Sequence, residues 1–300
     1  MKTHLVELAK RLDFIAIGFS RSEKPLFFDA FRNWIEAEKF GQMSWIKNHG
    51  DLREDPGKLL SNCRTIISLA YPYASAKPCT HEGFTVARYS EPQKNDYHNR
   101  IRKKAKRLAL TLKDSYPDSK SRVCVDSAPI LERSFAYRSG IGFLGKNNML
   151  IVPGHGSYVF LAEILTTAPL PVGEAELMEE MCGNCALCLE ACPTGALEGP
   201  RRLNASKCLS YLTIEHEGEL GPETGKRMGR CFLGCDVCQE ACPHNPVEKA
   251  KAPSLPHISE FLKMNKGEFK TRFGLTAFAR PGLERIQRNI KKVTQWNSVI

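Results

Sequence analysis

Met181 to Pro243 holds the residues best suited to chemistry. It reads MCGNCALCLEACPTG, then KCLSYLTIE, then GCDVCQEACPHNP. Cys182, Cys185, Cys188, Cys192 and Pro193 form C-x2-C-x2-C-x3-C-P. A lone Cys208 is followed by C-x2-C-x3-C-P, carried by Cys235, Cys238, Cys242 and Pro243. Eight cysteines in two sets of four are the ligand supply for two 4Fe–4S clusters. Three thiolates at x2 spacing wrap three corners of one cubane from a single tight loop. The fourth, ahead of a proline at the start of the next helix, points the other way and ligates the other cluster. The inferred sets are Cys182, Cys185, Cys188 with Cys242, and Cys192, Cys208, Cys235 with Cys238. Zinc sites use C-x2-C pairs separated by a longer spacer, and disulfides suit secreted chains.

The bulk numbers bound the setting for that chemistry. At 300 residues, 42% hydrophobic and 25% charged, the chain has ordinary globular composition, enough for one large or two modest domains. The opening MKTHLVELAKRLDF reads as an amphipathic helix start. It lacks the long apolar run and cleavage site of a signal peptide. No stretch approaches 18 apolar residues, so no membrane span is expected. The twelve cysteines are therefore expected in a reducing cytoplasm, where clustered thiols mean metal. The formal charge of +10 points to a polyanionic partner, with a solvated lysine-rich surface as the bland alternative.

Two clusters alone make a wire, and roughly three times the length of a ~60-residue ferredoxin precedes them here. That region should hold whatever receives the electrons. Its pattern gives a helix over 1–12, a strand over 12–19, and aromatics at helical intervals (Phe27, Phe31, Trp34, Trp45) read as core. A buried strand follows over Thr65–Ala70, then a loop over 72–83. Residues 98–113 form an amphipathic helix with Ile101, Ala105, Leu108 and Leu112 as its apolar stripe. Val123–Val125 is a strand ending in Asp126-Ser127-Ala128-Pro129, before a helix over 130–137. Asp126, in a turn at a strand end, is placed as a catalytic acid often is; an N-cap is the alternative. The glycine-rich stretch Ser139–Asn148 does not match a phosphate-binding loop, because Asn147 follows Lys146 where Ser or Thr is required. Met149–Val152 and Tyr158–Leu165 read as a hairpin. Cys63, Cys79 and Cys124 lack ligand spacing and read as buried or incidental thiols. Pro253 and Pro256 mark a linker, and 258–292 is a basic helical tail.

The segments VDSAPILERSFAYRSGIGFLGKNNMLI, CGNCALCLEACPTGAL, CLSYLTIE and GCDVCQEACPHNP, with the NDYHNRIRKKAKRL helix and the GLERIQRN tail, closely resemble epoxyqueuosine reductase. The likeness runs from about Arg53 to about Asn289. It implies an α+β fold: a sheet-containing cobalamin-binding catalytic domain over 1–175, a ferredoxin-like two-cluster module over 176–250, and a basic helical tail over 251–300. It implies base-off cobalamin, electrons from flavodoxin or ferredoxin passing through both clusters to cobalt, and reduction of epoxyqueuosine at the tRNA wobble position, the last step of queuosine biosynthesis. Asp126 matches the family's proton donor, and Arg53, Lys146 and Ser210 fall in segments near the corrinoid. The expected protein is a cytoplasmic monomer without a membrane partner.

Three departures stand out. Many relatives continue into a C-terminal helical-repeat domain, which this chain is expected to lack, so the 98–113 helix and the tail would supply more tRNA phosphate contacts. Cys231 is an extra cysteine, read as a bystander. Asp96-Tyr97-His98 resembles the first half of the D-x-H-x-x-G cobalamin motif, but Ile101 stands where glycine is needed, which argues against His98 as a cobalt ligand. The rivals are a reductive-dehalogenase-like cobalamin enzyme and a non-catalytic two-cluster electron carrier.

Overall fold

The β-branched run TIISLAYP, Thr65–Pro72, forms a strand whose first six residues are all buried. It can be apolar throughout because it is central. In the computed structural model, which describes residues 1–73, 76–173, 177–246 and 252–297, it pairs antiparallel with Ala16–Arg21 on one side and Val159–Thr166 on the other. Ser121–Cys124 completes this four-stranded sheet on the far side of Val159–Thr166. Among the described residues the chain is a mixed α+β protein, and no helix is long and apolar enough to cross a membrane.

The chain divides into two compact units. The first comprises Met1–Glu38, Trp45–Pro72 and His98–Asn184 and contains the four-stranded sheet. The Tyr97–Thr111 helix lays Ile101, Ala105, Leu108 and the following Leu112 inward, all at 0% exposure, as its stripe requires. The Glu132–Arg138 helix packs on the same sheet. Phe135 and Ile130 there join Ile66, Cys124 and Leu165 in one apolar cluster.

Several local expectations shift. The first strand begins at Ala16, not Leu12, because Asp13 adopts φ +64 and makes a turn after the Lys2–Arg11 helix. Trp45 is 49% exposed and is not core. The expected hairpin is wrong. Leu150–Ile151 pairs with Phe143–Leu144, while Val159–Thr166 pairs with two distant strands. The glycines of the 139–148 stretch explain the hairpin that does form. A Cβ on Gly142 would stand 2.4 Å from the Ile151 carbonyl oxygen, so that strand approach requires glycine. Ala74 and Ser75 of the expected 72–83 loop, and the expected boundaries at 175/176 and 250/251, involve residues outside those described.

The second unit comprises Lys39–Ser44, Tyr73–Tyr97 and Cys185–Ile300. Its core is a phenylalanine cluster, with Phe261 stacked on Phe273 at 5.5 Å and Phe273 on Phe278 at 5.1 Å. The Gly282–Asn297 helix adds Leu283, Ile286, Ile290 and Val293. Capping boxes on His257 and Asn265 start the two helices before it, each cap contributing ~1 kcal/mol. Thr85–Val86 pairs in parallel with Cys231–Leu233.

Candidate active site and cluster-binding cysteines

In the first unit, Asp126 follows the Ser121–Cys124 strand and takes φ +54, a left-handed conformation that Asp tolerates better than most residues. Two of its contacts bear on the site. Its N–H donates to Glu132 Oε1 at 2.6 Å, and its Oδ2 lies 2.9 Å from His98 Nε2. The Asp126 side chain is 58% exposed, so its carboxyl is open to a reactant. His98 thus presents one ring nitrogen to the Asp126 carboxyl.

Glu132 opens the Glu132–Arg138 helix, and behind it stands Glu163, at 0% exposure in the Val159–Thr166 strand. Burial, then the charge of Asp126, push the Glu132 carboxyl up to about 8, against the Asp126 N–H, Arg133 and His98, which favour its charged form. Burial pushes Glu163 well above the carboxylate range, and nearby Glu132 raises it further. The two carboxyls approach closely enough to interact by charge and by a loose hydrogen-bonding contact, although neither Glu163 oxygen meets strict hydrogen-bond geometry with a partner among the described residues.

Lys146 Nζ donates to the carbonyl of Gly183, the residue after Cys182. The Arg53 guanidinium donates to the Asn48 carbonyl and lies 5.6 Å over the Phe31 ring. The structure thus joins Asp126 to His98 and Glu132, and gives Arg53 and Lys146 backbone partners within the same unit. Ser210 belongs to the other unit. Sequence reasoning missed Glu132, Glu163 and the pairing of His98 with Asp126. The available signal was a lone carboxyl in the apolar strand VFLAEILT.

The second unit carries the cysteines from Cys185 onward; Cys182 lies in the 181–184 turn of the first. The two motifs fold alike. Cys188 sits in the short helix Leu187–Glu190 and Cys238 in its counterpart Val237–Glu240, which packs against it. In each motif the fourth cysteine follows directly on the helix C-cap, as Cys192 after Ala191 and Cys242 after Ala241. Cys208 precedes the Leu209–Ile214 helix, and the N–H groups of Tyr211 and Ser210 point to its thiol. Ser210 therefore touches the Cys208 thiol through its backbone.

The electrostatics show which thiols are grouped. Burial, followed by Cys235, Cys208, Cys192 and Cys188, raises Cys238. Burial pushes Cys235 up to about 12, with Cys231 and Cys208 adding to it. Burial opposes ionisation of Cys192 as well, but the N–H groups of Leu197, Thr194 and Ala196 hold its thiol below the usual value. Crowded, buried thiols that repel one another as anions, fitted with N–H donors toward sulfur, are what a cationic iron–sulfur core stabilises. Cys231 differs. Its thiol donates to the carbonyls of Leu233 and Gly234 at 3.5 Å each, as a protonated bystander does.

The Cys208 segment is pinned by the Gly282–Asn297 helix. Asn289, at 0% exposure, donates to the Thr213 and Phe232 carbonyls, and Arg288 donates to those of Leu212, His216 and Gly218. Arg285 donates to the Ile214 carbonyl, and Arg280 forms a two-pronged pair with Glu215. These tail arginines are structural. Lys263, Lys270 and Lys291 are exposed.

An iron–sulfur oxidoreductase is the class this fold and these residues define. Residues 181–245 match the 4Fe-4S double cluster binding domain, and residues 53–127 match the family described as "Epoxyqueuosine reductase QueG, DUF1730". The chain is 35% identical over 266 residues to an epoxyqueuosine reductase of Cyclobacterium marinum, covering 86% of this chain and 85% of that one. A solved epoxyqueuosine reductase with an epoxyqueuosine-modified tRNA-Tyr stem loop superposes with a TM-score of 0.87 at 32% identity, covering 98% of this chain and 80% of that one. A Bacillus subtilis structure, with a catalytic aspartate loop swung out of the active site, gives 0.84 at 31% identity and the same coverage. The chain belongs to the epoxyqueuosine reductase family.

Proposed function

We propose that this chain reduces epoxyqueuosine to queuosine in tRNA, acting at the wobble position in the cytoplasm as a monomer fed by a flavodoxin or ferredoxin. The observation that carries the reading is an exposed acid, Asp126, fixed by His98 and Glu132, in a chain that also carries a double cluster domain. Converting an epoxide to an alkene consumes two electrons and two protons and releases water. The electrons call for low-potential centres, and the departing oxygen calls for a proton.

The eight cysteines fit the first need. Cys182, Cys185, Cys188 and Cys242 would hold one cluster, and Cys192, Cys208, Cys235 and Cys238 the other. Cys238 feels the other three members of the second set, Cys235, Cys208 and Cys192, and also Cys188 of the first. Arg53, Lys146 and Ser210 would help hold base-off cobalamin. When bound, cobalamin would supply low-valent metal chemistry for reduction of the epoxide. Asp126 then delivers a proton to the leaving oxygen, with His98 keeping the carboxyl oriented across 2.9 Å. The exposed lysines and the Tyr97–Thr111 helix would take the tRNA phosphates.

Asp126→Asn tests the role of the acid. The variant should bind cobalamin and tRNA as the unaltered protein does and lose turnover on the order of 100-fold or more. Unchanged turnover would remove Asp126 from the mechanism.

A further inference from the structure

We propose that Glu132 is the positioning residue for Asp126, and that with Glu163 behind it it forms a buried carboxyl pair sharing a proton. The inference rests on the reading of Asp126 as proton donor. Asp126 turns left-handed directly after a strand, and the hydrogen bond from its N–H to Glu132 Oε1 at 2.6 Å holds that turn. Glu132 in turn is set against the sheet by the helix it opens, which packs on the Val159–Thr166 strand.

Glu163 is the unusual partner. It lies in register with Ser68 on one neighbouring strand and Cys124 on the other. Antiparallel partners share a face, so the three side chains form one row. Both Glu163 oxygens and Ser68 Oγ lack hydrogen-bond partners among the described residues, and both residues are at 0% exposure. A buried carboxylate so placed is costly, whereas a protonated carboxyl is tolerated. The charged or titratable groups facing this row are Glu132 and Arg133 from the helix, Asp126 and His98 at its mouth, and Cys124 and Arg122 on the edge strand. The influences on Glu163 itself are burial and Glu132, with no cation among them. Two adjacent carboxyls in that setting cannot both ionise cheaply, so they titrate as a pair. The raised positions of both agree with this.

The shared proton keeps a second negative charge away from Asp126 at neutral pH. As pH rises through about 8, Glu132 ionises and sets a negative charge beside the Asp126 carboxyl, disturbing its alignment. Stability follows the same sign. A carboxyl raised in the fold contributes fully below its unfolded value, about 4.3, and that contribution is lost as pH rises through the folded value.

The test uses the reconstituted holoenzyme and four variants, Glu132→Ala, Glu132→Gln, Glu163→Gln and Asp126→Asn. Turnover is measured against pH, and the urea unfolding midpoint is measured against pH from 5 to 9. Glu132→Ala should lose on the order of 10- to 100-fold of turnover through misplacement of Asp126. Glu132→Gln, which can still accept the Asp126 N–H, should recover most of that loss and carry its activity to higher pH. Glu163→Gln should flatten the fall of the unfolding midpoint with pH. A Glu132→Ala enzyme with unaltered turnover and pH profile, beside an inactive Asp126→Asn enzyme, would overturn the positioning role alone. An active Asp126→Asn enzyme would overturn it together with the reading it rests on. An unaltered pH slope in Glu163→Gln would overturn the shared proton.

Discussion

The sheet-based unit holds its reactive group with the chain's own hydrogen bonds, whereas the cysteine-bearing unit holds its reactive groups against one another. Asp126 has an imidazole 2.9 Å from its carboxyl and a carboxyl oxygen 2.6 Å from its N–H. Cys238 has four other cysteines raising it and a buried setting that disfavours its thiolate. The first arrangement is complete as a protein structure. The second makes chemical sense as a ligand set, stabilised when iron replaces thiol protons. Acid and wire are thus built on different principles, and each should fail in its own way.

The sharpest break of that contrast is Cys238→Ser. It should cost one cluster, about half of the bound iron, and abolish turnover, while Asp126→Asn keeps its iron. Iron and sulfide content of the two variants checks this; full iron in Cys238→Ser would contradict the ligand set.

Next in size come substitutions in the scaffolds. Gly142→Ala drives a methyl to 2.4 Å from the Ile151 carbonyl oxygen and should cost about 3 kcal/mol. Asn289→Ala strands the carbonyls of Thr213 and Phe232, at about 2 kcal/mol. Urea unfolding with two probes separates them. The asparagine variant should also loosen the Cys208 segment and slow cluster reconstitution, and the glycine variant should not.

The smallest effect is expected at Glu198. Hydrogen bonds from Lys39, then Lys207 and Asn204, hold its carboxyl down at about 2. Its contribution is present above the unfolded carboxylate value and lost as pH falls through about 2. Between about pH 4 and 2, the unfolding midpoint of the unaltered protein should therefore fall slightly more than that of Glu198→Gln.

Much of this was legible in the sequence because it is local. Cysteine spacing names a ligand set, a strand-ending Asp before Ser-Ala-Pro names a candidate acid, and the stripe from Ile101 to Leu112 names a buried helix face. What stayed hidden depends on distant pairing. Val159–Thr166 reads as half of a hairpin until its partners, Thr65–Pro72 and Ser121–Cys124, are known. Only that pairing sets Glu163 beside Cys124 and behind Glu132. Likewise Thr85 joins the cysteine-bearing unit through its pairing with Cys231, across more than a hundred residues of sequence. The tail arginines looked like phosphate ligands because composition reports charge without reporting which carbonyls already occupy it.

The most direct measurement is nucleoside mass spectrometry of epoxyqueuosine-containing tRNA after incubation with anaerobically reconstituted protein and a chemical reductant, with and without cobalamin. Queuosine formed only when cobalamin is present is the predicted result. No queuosine from protein verified to hold both clusters and cobalamin would contradict the proposed activity.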